Sequence, residues 1–127
     1  HDTAAIEDTL RQALSSLRCA VESTDPSVKM ELQRAVTQMG IKIDPNANLR
    51  FTGLMDTTEP ERKQGWFWIR GSYELIFTDG DEVLAKKRWP VKASATSESL
   101  VGQRLRDTVN ADLPGQVFEM LTTVTAQ

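Results

Sequence analysis

The amino-acid sequence predicts an α+β fold: a two-layer sandwich with a mainly antiparallel sheet of about four strands and helices on one face, in the order α-β-α-β-β-β-β-α. Three observations carry this expectation. Long runs in which apolar and polar residues alternate follow one another at about 48 to 57, 65 to 78 and 82 to 95, the pattern of a meander with one buried face. Apolar residues at helical spacing lie before and after these runs rather than between them, which separates the layout from a βαβ repeat. The chain has 127 residues, 39% hydrophobic and 26% charged, the size and balance of a single domain over 1–127 with one core.

Residues 3 to 14 place Ile6, Leu10, Ala13 and Leu14 on one helical face. Leu17, Cys19 and Val21 then alternate with Arg18, Ala20 and Glu22, so helix gives way to strand. Asp25-Pro26 opens a second helix, with a side-chain acceptor at the cap and proline in the first turn. Val28, Leu32, Val36 and Met39 continue it and Gly40 stops it. A short Ile41-Lys42-Ile43 and a turn over Asp44-Pro45-Asn46 lead into the meander. A right-handed crossover through this helix sets the first strand parallel to, and beside, the strand at 48 to 57.

Within the meander, Thr57 to Gln64 reads as a long hairpin loop, rich in charge and bearing Pro60. A turn centred on Gly80 joins the last two strands. Requiring like faces to oppose sets Phe77 against Val83, Leu75 against Ala85, Gly71 against Trp89 and Ile69 against Val91. Leu49, Phe51, Gly53 and Met55 share that inner face with Phe67 and Tyr73, and Trp89 is expected over the space that Gly71 leaves. Lys87 is the polar exception, with its ammonium reaching water at the rim. Pro90 marks the last strand as an edge, since proline has no N–H to donate.

From a Thr96 or Ser97 cap, Val101, Leu105, Val109, Leu113, Val117 and Leu121 recur every four residues. Such a row drifts about 40° per step around a straight helix. Pro114-Gly115 is the natural break, so two helical pieces or one kinked helix are expected over about 97 to 123.

The register leaves a second, outward face: Arg50, Thr52 and Leu54; Trp66, Trp68, Arg70, Ser72, Glu74 and Ile76; Leu84, Lys86, Arg88, Pro90, Lys92 and Ser94. Glu74 is expected opposite Lys86, and the remaining cations show no acidic partner on this face. Seven residues, Trp66, Trp68, Arg70, Arg50, Arg88, Lys86 and Lys92, form the candidate binding surface. Indoles beside guanidinium and ammonium groups can hold an anionic amphiphile, a glycan phosphate, single-stranded nucleic acid or an acidic protein surface. The plain alternative is a face covered by another domain, by a second copy as a homodimer, or by the first helix.

Composition narrows the rest. The formal charge of −3 argues against an electrostatic nucleic-acid binder, whose affinity would also fall steeply with salt. No run of apolar residues is long enough for a membrane span, so a soluble domain is expected. The chain starts at His1, and the missing initiator methionine leaves any export signal undecided. His1 is also the sole histidine and is terminal, so no Ser-His or Cys-His pair has a base in place. Cys19, the single cysteine, alternates with Leu17 and Val21 as a buried apolar residue would. Asp79-Gly80-Asp81-Glu82 is a hairpin turn rather than a calcium loop, and neither a phosphate loop nor Cys/His metal spacing occurs. A protein without catalytic residues, metal or cofactor is expected.

The strand, the helix opened by Asp25-Pro26, the meander through Leu49-Arg50-Phe51-Thr52-Gly53 and Gly71-Ser72-Tyr73-Glu74-Leu75, and the closing helix resemble small Gram-negative envelope domains. Asp79-Gly80-Asp81-Glu82-Val83-Leu84 and Trp89-Pro90-Val91-Lys92-Ala93-Ser94-Ala95 belong to the same likeness, which spans about residues 16 to 123. The nearest are the lipopolysaccharide-assembly lipoprotein (LptE-like) and accessory domains of LPP20-type lipoproteins. The resemblance implies a non-catalytic module, periplasmic or associated with the outer membrane, that engages a partner protein or an anionic envelope component such as a lipid head group or glycan.

Overall fold

The computed structural model describes residues 16–125; the helix expected over 3 to 14 lies outside the described residues. The strands are β1 (Arg18–Ser23), β2 (Lys42–Ile43), β3 (Leu49–Thr57), β4 (Glu61–Lys63), β5 (Trp66–Asp79) and β6 (Glu82–Ala95). The helices are α1 (Pro26–Gln38) and α2 (Glu98–Thr125). They form a six-stranded mixed sheet in the order β2-β1-β3-β5-β4, with β6 on the other side of β5. This corrects the expectation of about four mainly antiparallel strands: β2 pairs parallel to β1, and β4 arises inside the segment read as a loop.

Local chemistry accounts for the boundaries. The Asp25 carboxylate accepts from the backbone N–H groups of Ser27 and Val28 at 2.9 and 3.1 Å, which satisfies two of the donors a helix start leaves open. Gly40, at φ 94°, takes the left-handed turn that ends α1. The crossover through α1 then lays β1 parallel to β3, Val21 opposite Phe51, as expected. Gln64 and Gly65, at φ 55° and 82°, make a two-residue turn that folds β4 back on β5. Pro60 sits just ahead of β4, outside the ladder, which is how a proline-bearing segment still pairs.

The β5–β6 ladder differs from expectation by two residues. Tyr73 opposes Trp89, Leu75 opposes Lys87 and Phe77 opposes Ala85, and a bulge between Phe77 and Thr78 absorbs one residue. The slip is even, so residues from Ala85 to Ala95 keep their expected faces. Near the turn they exchange: Val83 is exposed, whereas Leu84, expected outside, packs against the core. β6 pairs with β5 alone, as Pro90 implied.

Two glycines admit neighbours where a side chain would not fit. A Cβ at Gly71 would lie 2.0 Å from the Asp56 carbonyl oxygen, so the close passage of β3, not Trp89, fills that space. A Cβ at Gly53 would lie 2.2 Å from the Tyr73 hydroxyl, so the phenol leans diagonally across that glycine. The Tyr73 hydroxyl is buried and meets no hydrogen-bond partner among the described residues. Tyr73→Phe is therefore expected to leave stability unchanged or raise it by up to about 1 kcal/mol, because only an unsatisfied group is lost. Urea midpoints check this, and a loss of similar size would mean that the hydroxyl is bonded in solution.

The core lies between the sheet's inner face and both helices. Phe51 stacks on Phe77 with ring centroids 4.4 Å apart, and Val28, Leu32 and Val36 of α1 meet Leu113, Val117 and Leu121 of α2 in the same cluster. A second cluster joins Ile69 and Ala95 to Val101 and Leu105. α2 is one continuous helix with Pro114 inside it, not two pieces. Its buried row winds round the helix because its partners change: the first turns meet the end of the β5–β6 hairpin, and the later ones meet α1 and the central strands. Lys87 reaches Glu119 of α2 at 2.6 Å and stays partly exposed at the rim.

Candidate functional site

Because the strands alternate, β4, β5 and β6 place their outward side chains in cross-strand rows. Lys63 stands beside Trp66; Glu61, Trp68 and Ser94 form the next row; Arg70 stands beside Lys92; Glu74 beside Arg88; and Ile76 beside Lys86. All seven sequence-predicted residues are thus on the outward face, but they do not form one surface. Glu74 pairs with Arg88 at 3.3 Å, not with Lys86, and Glu22 of β1 holds Arg50. The expectation that the remaining cations lack acidic partners fails for Arg50 and Arg88. Each faces a carboxylate on the neighbouring strand, and Glu74 is itself buried.

Arg70, Lys86, Lys92 and Lys63 have no ion-pair partner among the described residues. Lys86 stands apart, six residues along the β5–β6 ladder from the Arg70–Lys92 pair, beside half-buried Ile76. The other three gather where β4 ends and β5 begins. There Glu61, Lys63, Gln64, Trp66, Trp68 and Arg70 line a concavity of about 380 Å³. A second one, about 450 Å³ and mostly apolar, is lined by Arg70, Gly71, Pro90, Val91 and Lys92. Arg70 borders both. Trp66 is 45% exposed, while Trp68 is half-buried.

Two opposed demands shape this corner. Trp66 and Trp68 bring large apolar rings to the sheet's outer face, where α1 and α2 do not reach. Arg70 and Lys92 stand side by side as like charges, a costly arrangement unless an anion sits between them. Lys63, Glu61 and Gln64 went unrecognised because charge and Pro60 suggested a loop. Gln64-Gly65 between two short alternating runs was the signal for a tight hairpin, and it turns Glu61 and Lys63 onto the indole face.

The chain's other reactive group is closed off. Cys19 is fully buried, and burial pushes its thiol from 9.0 up to about 11, so little nucleophilic thiolate forms near neutrality. Among the described residues no cluster of His, Cys, Asp and Glu could hold a metal ion, and no helix is long and apolar enough to cross a membrane.

No protein-family model matches the chain, and no curated protein matches its sequence. Solved structures do match. A lipoprotein candidate from Caulobacter crescentus superposes with a TM-score of 0.59 at 15% identity, over 93% of this chain and 96% of its own. A protein from Xanthomonas campestris gives 0.58 at 12%, over 87% and 86%. The minor lipoprotein of Acinetobacter baumannii gives 0.54 at 16%, over 86% and 93%. At such identities the likeness establishes the fold and not the activity. The layout's resemblance to small bacterial lipoproteins is borne out: the chain shares the fold of bacterial lipoproteins.

Proposed function

We propose that this chain is a non-catalytic accessory domain of the bacterial envelope, periplasmic or associated with the outer membrane, folded as one unit over 1–127. Its working surface is the corner where Trp66, Trp68, Arg70, Lys92 and Lys63 meet, and its ligand is an anionic envelope component. One observation carries the reading: in a chain of net charge −3, Arg70 and Lys92 stand adjacent, without acidic partners among the described residues, beside an indole-lined concavity. Guanidinium and ammonium groups supply charge-assisted hydrogen bonds to phosphate or carboxylate, and the indoles supply apolar and stacking contact. Arg50 and Arg88, each paired with a carboxylate, hold the sheet rather than the ligand.

The test is titration of the wild type and of Arg70→Glu/Lys92→Glu with anionic envelope components, phosphorylated glycans and glycerol phosphate among them, following tryptophan emission. Reversal of both charges is expected to weaken binding at least ~10-fold, about 1.4 kcal/mol or more. Arg50→Gln is expected to change it little. Unchanged affinity of the double variant for every ligand the wild type binds would remove the assignment.

A further inference from the structure

We infer that this corner docks on the surface of an anionic lipid bilayer, with Trp66 seated at head-group depth and Arg70, Lys92 and Lys63 on the lipid phosphates. The inference deepens, and rests on, the reading of the corner as an anion-binding surface. Its geometry is what singles out a bilayer. β5 and β6 run 14 residues each, so their hairpin is roughly 45 Å long. The turn Asp79-Gly80-Asp81-Glu82 is at one end, and the β4–β5 turn with Trp66 is at the other.

At the Trp66 end Trp66 and, in the first turn of α2, Leu100 are exposed; the opposite end exposes Val83 and Ile43 but, among the described residues, no aromatic ring. Tryptophan flanked by lysine and arginine at one end of the sheet suits a membrane interface, where an amphipathic ring sits among head groups. Lys63, Arg70 and Lys92 outnumber the one carboxylate that shares the concavities, Glu61. The apolar hollow of Gly71, Pro90 and Val91 beside Arg70 would accommodate the upper part of an acyl chain.

The full chain is mixed with vesicles of phosphatidylcholine alone, or of phosphatidylcholine and phosphatidylglycerol in equal parts. Cosedimentation and tryptophan emission are read, and soluble glycerol phosphate and an anionic polysaccharide serve as lipid-free arms. Binding to the anionic vesicles only is expected, with a blue shift that Trp66→Ala abolishes and that brominated lipids quench. Each cation near such a surface contributes about five-fold, about 1 kcal/mol, so Arg70→Glu/Lys92→Glu is expected to weaken partition roughly 25-fold or more. Raised salt should mimic that loss in the wild type, which keeps the test independent of variant folding. Lys29→Glu on α1 is expected to bind as wild type. Binding of a soluble anion without any to anionic vesicles would overturn the membrane inference and leave the anion-binding reading standing. No binding in any arm would end both, and vesicle binding indifferent to Trp66, Arg70 and Lys92 would place the contact elsewhere.

Discussion

Gly71→Val is expected to unfold the protein or cost it about 3 kcal/mol or more, the upper end of what overpacking does, because the obstacle is backbone. A Cβ at this position would lie 2.0 Å from the Asp56 carbonyl oxygen and 2.6 Å from the Thr57 Cα. A flexible side chain could swing away from such an approach. The carbonyl cannot, since β3 is tied to β5 there: Asp56 and Thr57 register with Ser72 and Gly71, and Thr58 donates its N–H to the Arg70 carbonyl at 2.8 Å. Relief would require parting β3 from β5 next to Arg70, so the candidate site should loosen together with the fold. Gly65→Ala is the control. Its Cβ would meet open space, and the cost is the roughly 1 to 2 kcal/mol of left-handed backbone. Guanidinium unfolding of the two variants gives the comparison, and a Gly71→Val protein as stable as Gly65→Ala would mean that the strands do not approach this closely in solution.

The same close approach shows where the sequence could be read and where it could not. Which face each strand residue takes was legible for most of the meander, because the period of two binds every side chain to its neighbours. Phe51, Ile69, Tyr73, Leu75 and Phe77 are buried and Trp66 and Arg70 exposed, as alternation requires. Which residue opposes which was not. Alternation is blind to a slip of two, and here the Gly80-Asp81 turn and the bulge at Leu84 contribute one residue each, which preserves the faces from Ala85 onward. Pairings inferred from register therefore moved, Glu74 from Lys86 to Arg88 and Trp89 from Gly71 to Tyr73, whereas the outward placement of Trp66, Trp68, Arg70 and Lys92 survived. The partition of the basic residues was hidden for another reason. Glu22 lies 28 positions before Arg50, and only the parallel pairing of β1 with β3, through the crossover, brings them together. The crossover was foreseen, but not the side-chain contact that neutralises Arg50.

The last helix inverts the usual logic of proline, and the variant that tests it should gain stability. Proline in a helix interior lacks the N–H for the i−4 carbonyl and crowds it, a penalty near 3 kcal/mol relative to alanine, and glycine adds about 1 kcal/mol. Pro114-Gly115 sits in the middle of α2, yet the helix is continuous. Tertiary packing supplies the reason: Val109, Leu113 and Val117, on either side of the break expected at Pro114, are all buried in the main core. Splitting the helix would uncover part of that row, and fully burying one aliphatic side chain is worth about 1.5 to 3 kcal/mol, comparable to the proline penalty. Both Pro114 and Gly115 face solvent, and a Cβ at Gly115 would meet nothing within 4 Å. Replacement therefore disturbs no contact. Pro114→Ala/Gly115→Ala is expected to raise unfolding free energy by about 2 to 4 kcal/mol, provided the penalty is borne by the folded state. Thermal and urea unfolding measure it, and native hydrogen exchange at Asn110 and Ala111 should slow as the turn tightens. Because neither Pro114 nor Gly115 lines the concavities at Trp66 and Arg70, anion affinity should be unchanged. A double variant no more stable than wild type would show that α2 in solution already relieves the proline by bending, and that the kinked or two-piece helix implied by the sequence is the better description of this segment.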